Sequence, residues 1–136
     1  LADLEPLARE KEVELTGNCE AITIVGSDIL IYRLVYNLVE NAIKYNHPGG
    51  QVTVRAFRKE KHVCLSVADS GNGIPEELRE RVFEPFFRVD KSRSRALGGV
   101  GLGLALVHEI VRVHDGSITV RANPSGGTVF EVMFTQ

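Results

Sequence analysis

Apolar positions recur at helical spacing over one long stretch. From Ile29 to about Tyr45, the residues Ile31, Leu34, Val35, Leu38, Val39, Ala42 and Ile43 cover most of a helical wheel. Ser27 and Asp28 offer N-caps, and Asn46, Pro48, Gly49 and Gly50 end the run. Leu1, Leu4 and Leu7 recur every three residues with Pro6 tolerable in a first turn, so residues 1–11 predict a short helix, the end of a connector. A further helix is expected from about Gly101 to His114.

Elsewhere the period is two. Val52, Val54 and Ala56 alternate with Thr53, Arg55 and Phe57, and Val63, Leu65 and Val67 alternate with Cys64, Ser66 and Ala68, around a polar Lys59-Glu60-Lys61 turn. This pattern predicts an antiparallel hairpin. Val13–Leu15 and Ala21–Val25 read as short strands joined by a turn at Gly17 and Asn18. Ser117–Ala122 and Thr128–Phe134 read as closing strands around Asn123-Pro124-Ser125-Gly126-Gly127. Pro75 opens a short charged helix to about Val82, and residues 83–99 show neither period, a loop long enough to suggest function. Helices and strands do not alternate as βαβ repeats, which predicts an α+β two-layer sandwich.

Composition narrows the function. With 136 residues the chain is one domain, able to bury roughly 70% of its unfolded surface. Sixteen Lys and Arg against 18 Asp and Glu leave a net charge of −2, no polycation for nucleic acid. Cys19 and Cys64 form no Cys-x-x-Cys pair, which removes zinc-ribbon and disulfide-scaffold readings and fits a reducing compartment. The longest uncharged stretch, Ala96 to His108, has 13 residues, short of the roughly 20 that span a membrane. No Met and no basic, apolar leader opens the chain, so a fragment of a longer protein is expected.

Three features could carry chemistry. On the long helix, Arg33, Asn37, Asn41 and Lys44 fall in a stripe roughly 80° wide, either a solvated edge or a line along which a polar ligand docks. Asp69-Ser70-Gly71-Asn72-Gly73-Ile74 follows a strand directly, either a plain turn or a carboxylate that accepts from a ligand brought close by glycines. Gly98-Gly99-Val100-Gly101-Leu102-Gly103-Leu104 runs into a helix, where free N–H groups and the helix dipole suit an anion such as phosphate. There is no Gly-Lys for a Walker A loop, and Leu104 stands where G-x-G-x-x-G needs glycine. H-E-x-x-H would require a histidine at Arg112, so His108 and Glu109 read as ordinary helix residues, and no Gly-x-Ser-x-Gly elbow occurs.

Taken in order, Asn37-Leu38-Val39-Glu40-Asn41-Ala42-Ile43-Lys44-Tyr45, then Asp69 to Ile74, then Phe83-Glu84-Pro85-Phe86-Phe87-Arg88, then Gly99-Val100-Gly101-Leu102-Gly103, make four boxes over nearly the whole chain. Together they resemble the catalytic, ATP-binding domain of bacterial sensor histidine kinases, within the wider gyrase, chaperone, histidine kinase and mismatch-repair (GHKL) superfamily. The resemblance implies the Bergerat fold, a mixed sheet with helices on one face, and an ATP lid over residues 83–99. It implies Mg²⁺ on Asn41, phosphates facing Asn37 and Lys44, and Tyr45 on the sugar or the base's edge. Asp69 would accept from the adenine amino group, with Gly71, Gly73 and Ile74 beside it. Gly99, Val100, Gly101, Leu102 and Gly103 would meet phosphate, Phe87 and Phe86 would anchor the lid or pack near the nucleotide, and Thr128 would line the base pocket through a water. Arg88, in a lid made positive by Lys91, Arg93 and Arg95 against Asp90, is the candidate for stabilising the transferring phosphoryl group.

Two departures matter. Where the superfamily's ATPases place a water-activating glutamate, this chain has Asn37, and an amide cannot act as general base. That favours phosphoryl transfer to a protein over hydrolysis. Asn46-His47-Pro48 replaces the small Thr or Ser and Pro that often follow the family's Tyr. None of His47, His62, His108 or His114 sits in a phosphoacceptor context, so the resemblance implies a histidine on a separate dimerisation domain, a downstream response regulator, and a monomeric isolated chain. The full-length kinase would be membrane-anchored or cytosolic, with this domain in the cytoplasm. A serine kinase of the anti-sigma type, or an ATP-binding module without transfer, are the alternatives.

Overall fold

The computed structural model describes residues 2–19, 26–85, 87 and 103–135. One sheet holds five strands, β1 (Glu14–Cys19), β2 (Gln51–Lys59), β3 (His62–Asp69), β4 (Ser117–Ala122) and β5 (Thr128–Thr135), in the order β1-β2-β3-β5-β4. β1 lies parallel to β2, and the remaining neighbours are antiparallel. The helices are α1 (Glu5–Glu10), α2 (Asp28–Lys44) and α3 (Gly103–Val113). A parallel pair cannot be joined by a tight hairpin; α2 lies in the crossover between β1 and β2.

Helix α2 begins where its cap chemistry dictates. Ser27 is extended, and its Oγ accepts from the Leu30 N–H at 3.2 Å, which satisfies one of the helix's free donors. Leu34, Leu38, Val39, Ala42 and Ile43 are buried. They meet Val107, Ile110 and Val111 of α3 and the inward row of the sheet, Val52, Ala56, Leu65, Val67, Phe130, Val132 and Phe134, in one cluster. Helices over one sheet face make the expected α+β two-layer architecture.

Strand β3 departs from simple alternation because it is central. Outward-facing Cys64 and Ser66 are buried along with Val63, Leu65 and Val67. Their register neighbours are long, Phe57 and Met133 beside Cys64, and Arg55 and Glu131 beside Ser66. The Arg55 guanidinium lies 4.9 Å over the Phe57 ring. Long side chains thus cover small ones, and burial pushes the Cys64 thiol up, away from reactivity.

Two segments differ from the sequence reading. Gly17 and Asn18 form no turn but lie inside β1, opposite Val54 and Arg55, because the ladder to β2 overrides local turn preference on an edge strand. The expected strand at 21–25 lies outside the described residues. The segment 75–82 is not one helix but two 3₁₀ turns, Glu76–Leu78 and Arg81–Phe83. Its only buried side chain in those turns is Val82, too little apolar face to support a nucleated α-helix. Phe83 then abuts Phe130 edge-on at 6.2 Å, sealing the layer beside α3. The second long helix is described from Gly103, and residues 101 and 102 lie outside the described residues. Among the described residues no helix is long and apolar enough to cross a membrane.

Candidate functional site

The polar stripe of α2 survives folding. Asn37, Asn41, Lys44 and Tyr45 are half-buried along one line, with Arg33 exposed at its start. Asn37 Nδ2 donates to the Arg33 carbonyl at 2.7 Å, which turns its Oδ1 toward the start of α3. A Cβ built on Gly103 would stand 3.3 Å from that oxygen. The last glycine of the glycine-rich box therefore meets the amide seam. Lys44 pairs with Glu40 at 3.7 Å, one turn earlier, a partly exposed contact weak enough for Lys44 to exchange partners.

Asp69 ends β3 opposite Val52, in the row that faces the helices, so its side chain points beneath the C-terminal end of α2. It is 8% exposed. Oδ1 accepts from the Gly71 N–H at 2.9 Å and from the Thr128 N–H at 3.1 Å, whereas Oδ2 takes no hydrogen bond among the described residues. Burial raises the carboxyl's pKa above the ordinary aspartate range, and the two N–H bonds pull in the opposite direction without cancelling it. A fixed carboxylate with one open oxygen is an acceptor aimed at a donor from outside the protein.

Two glycines let three segments converge on it. A Cβ at Gly71 would lie 2.6 Å from the Tyr45 carbonyl, so the Asp69–Ile74 turn presses against the end of α2. Gly127, at φ +100°, approaches from the other side, and a Cβ there would lie 2.1 Å from the Asp69 carbonyl oxygen. Asn46 and His47 clamp the same turn. Ser70 Oγ donates to Asn46 Oδ1 at 3.5 Å, and His47 Nε2 lies 2.9 Å from the Ser70 carbonyl.

The structure thus gathers Tyr45, Asp69, Gly71 and Thr128 at one end of the seam, with Gly73 beside Gly127, and Asn37 and Gly103 at the other. Ile74 and Phe87 are half-buried against the core, and the Arg81 guanidinium sits 4.7 Å over the Phe87 ring. Arg88, Gly99, Val100, Gly101 and Leu102, together with Phe86, Asp90, Lys91, Arg93 and Arg95, lie outside the described residues. His108 stacks near Phe83 and Glu109 pairs with Arg112, as ordinary helix residues. Sequence reasoning missed Asn123, whose Nδ2 donates to the Asp69 carbonyl at 2.9 Å. The only local signal was an asparagine opening a Gly-Gly turn, because its partner is 54 residues away.

Residues 26–136 match the family model of histidine kinase-, DNA gyrase B- and HSP90-like ATPases. The chain is 44% identical over 109 residues to the sensor-like histidine kinase SenX3 of Mycobacterium tuberculosis, covering 80% of this chain and 27% of that protein. It is 40% identical over 110 residues to the sensor protein CiaH of Streptococcus pneumoniae, covering 81% of this chain and 25% of that one. It therefore spans about a quarter of the curated relatives it matches. Among solved structures, the mycobacterial sensor histidine kinase MprB superposes with a TM-score of 0.86 at 33% identity, covering 98% of this chain and 91% of that one. The catalytic domain of the histidine kinase ThkA gives 0.82 at 27% identity, covering 98% and 86%. The mixed five-stranded sheet, the amide seam and the buried aspartate are thus set in a chain that belongs to the histidine kinase-, DNA gyrase B- and HSP90-like ATPase family.

Proposed function

We propose that this chain is the ATP-binding catalytic domain of a sensor histidine kinase, which passes the γ-phosphoryl group of Mg-ATP to a histidine on a separate dimerisation domain. The observation that carries it is Asp69, buried and pinned through Oδ1, with Oδ2 taking no hydrogen bond among the described residues. Oδ2 accepts from the exocyclic amino group of adenine. Guanine presents a carbonyl oxygen there, so two acceptors meet. From Tyr45 back to Asn37 the α2 seam runs about 12 Å, at 1.5 Å per residue, room for sugar and phosphates in line from the base.

Along that line Thr128 lines the base pocket, Tyr45 meets the sugar, and Lys44 leaves Glu40 for phosphate. The N-terminal end of α3, which opens at Gly103, adds helix-dipole potential for an anion. Among the described residues no cluster of three or more His, Cys, Asp or Glu is placed to hold a metal. The donor present is the Asn41 amide oxygen, which fits Mg²⁺, a cation that takes few protein ligands and completes its shell with phosphate and water. When bound, Mg²⁺ neutralises charge on the phosphates. Arg88 is assigned to the transferring group. The bond from the β–γ bridging oxygen to phosphorus breaks, a phosphorus–nitrogen bond to the acceptor imidazole forms, and ADP leaves. Asn37 offers no general base for water, so transfer outruns hydrolysis. A response regulator then takes the phosphoryl group from histidine.

Two measurements test this. Calorimetric titration should show Mg-ATP binding with at least about tenfold preference over Mg-GTP. γ-Labelled ATP should label an added histidine-bearing hairpin domain from a matching kinase, in an acid-labile form, only when this chain is present. Equal binding of both nucleotides, or brisk ATP hydrolysis without transfer, overturns the proposal.

A further inference from the structure

The turn joining β4 and β5 grips the residue that the site depends on. Asn123 Nδ2 donates to the Asp69 carbonyl at 2.9 Å, and its Oδ1 accepts from Ser125 Oγ at 3.2 Å. Its own N–H donates to the Gly127 carbonyl at 3.0 Å, while the Gly126 N–H donates to the Asn123 carbonyl at 2.8 Å. One side chain thus closes the turn on itself and fastens it to the end of β3. Gly127 then passes so close to Asp69 that a Cβ would lie 2.1 Å from its carbonyl oxygen. The next residue, Thr128, supplies one of the two N–H groups on Oδ1.

We propose that Asn123 is a positioning residue for nucleobase selectivity, holding the β4–β5 turn against Asp69 so that Oδ1 is occupied by backbone and Oδ2 faces the base. The inference rests on the reading of Asp69 as the adenine acceptor. Without the Asn123 bond the turn retreats, Thr128 N–H leaves Oδ1, and the carboxylate is held by the Gly71 N–H alone. It also loses one of the two donors that offset its burial, so protonation becomes easier. A register contact of this kind is worth about three- to tenfold in affinity.

The test uses Asn123→Ala, Asn123→Asp and Asp69→Ala, titrated with Mg-ATP and Mg-GTP across a pH series, alongside thermal unfolding. Asn123→Asp retains the acceptor for Ser125 but sets a charged acceptor against the Asp69 carbonyl in place of the donor, so it breaks the grip while keeping the turn's own bond if the alanine variant fails to fold. Expected is an ATP affinity about three- to tenfold weaker, GTP changed less, and the acid limb of ATP binding moved to higher pH. A lower unfolding temperature with the wild-type ATP-to-GTP ratio and pH profile would overturn the inference, leaving Asn123 a purely structural residue. Asp69→Ala separates the two claims. If it loses ATP preference while both Asn123 variants keep theirs, only the Asn123 inference falls. If Asp69→Ala still prefers ATP, the adenine reading falls and takes the inference with it.

Discussion

Replacing Asp69 by asparagine trades function against stability in a way the geometry sizes. The amide oxygen can keep both N–H bonds that Oδ1 now accepts from Gly71 and Thr128. Its NH₂ group then occupies the place of Oδ2 and faces the adenine amino group, donor against donor. The lost charge-assisted hydrogen bond amounts to about 1.5–3 kcal/mol, or from about tenfold to more than a hundredfold in ATP affinity. Guanine's carbonyl oxygen, repelled by a carboxylate, accepts from an NH₂, so the ATP-to-GTP ratio collapses. Stability moves the other way. Because burial raises the folded-state pKa of Asp69, its contribution is fully present below the ordinary aspartate range and is lost as pH rises through the raised value. At neutral pH the wild type therefore holds a desolvated charge that Asp69→Asn lacks. Thermal unfolding of the ligand-free variant at pH 7 should occur no lower than wild type, and its advantage should shrink on acidification. Calorimetry with both nucleotides, together with unfolding at pH 7 and below, checks each half. A variant that keeps wild-type ATP preference, or one clearly less stable at pH 7, would refute the reasoning.

Other substitutions probe the frame around the site. Gly127→Ala drives a Cβ to 2.1 Å from the Asp69 carbonyl and strains a positive φ, so calorimetry should show ATP binding lost and the unfolding temperature should fall. Leu38→Ala, at a position with no exposure, should cost about 3–5 kcal/mol by chemical denaturation. Ser27→Ala removes the cap on Leu30 and should cost about 1 kcal/mol, roughly 3–5 °C in unfolding temperature, with nucleotide binding little changed because the seam begins two turns later.

Where a signal was local, the sequence carried it. The 3.6-residue period of α2, its Ser27 cap, the alternation of β2 and the Asn37-to-Lys44 stripe are all properties of neighbouring residues, and folding preserves them. Misreadings arose where a distant strand decides. Gly17-Asn18 looks like a turn until β2 offers it a parallel ladder. The candidate site divides in the same way. Asp69 and its glycines stand together in the chain, whereas the Thr128 donor and the Asn123 grip come from a hairpin more than fifty residues later. No periodicity encodes that meeting.

The order of strands has a consequence for how the molecule is made. β5 follows the other four strands in the chain, yet it sits inside the sheet between β3 and β4. While the chain is being synthesised, β3 has one unpaired edge and its apolar row has no Phe130, Val132 or Phe134 to rest on. Closure waits for β5 to slot into an interior position, a long-range step of the kind that slows folding and leaves an intermediate open to chaperones or aggregation. Because the same strand brings Thr128 to Asp69, the nucleotide pocket is completed at the moment the sheet is, and a nascent chain gains no stabilisation from nucleotide until β5 has emerged.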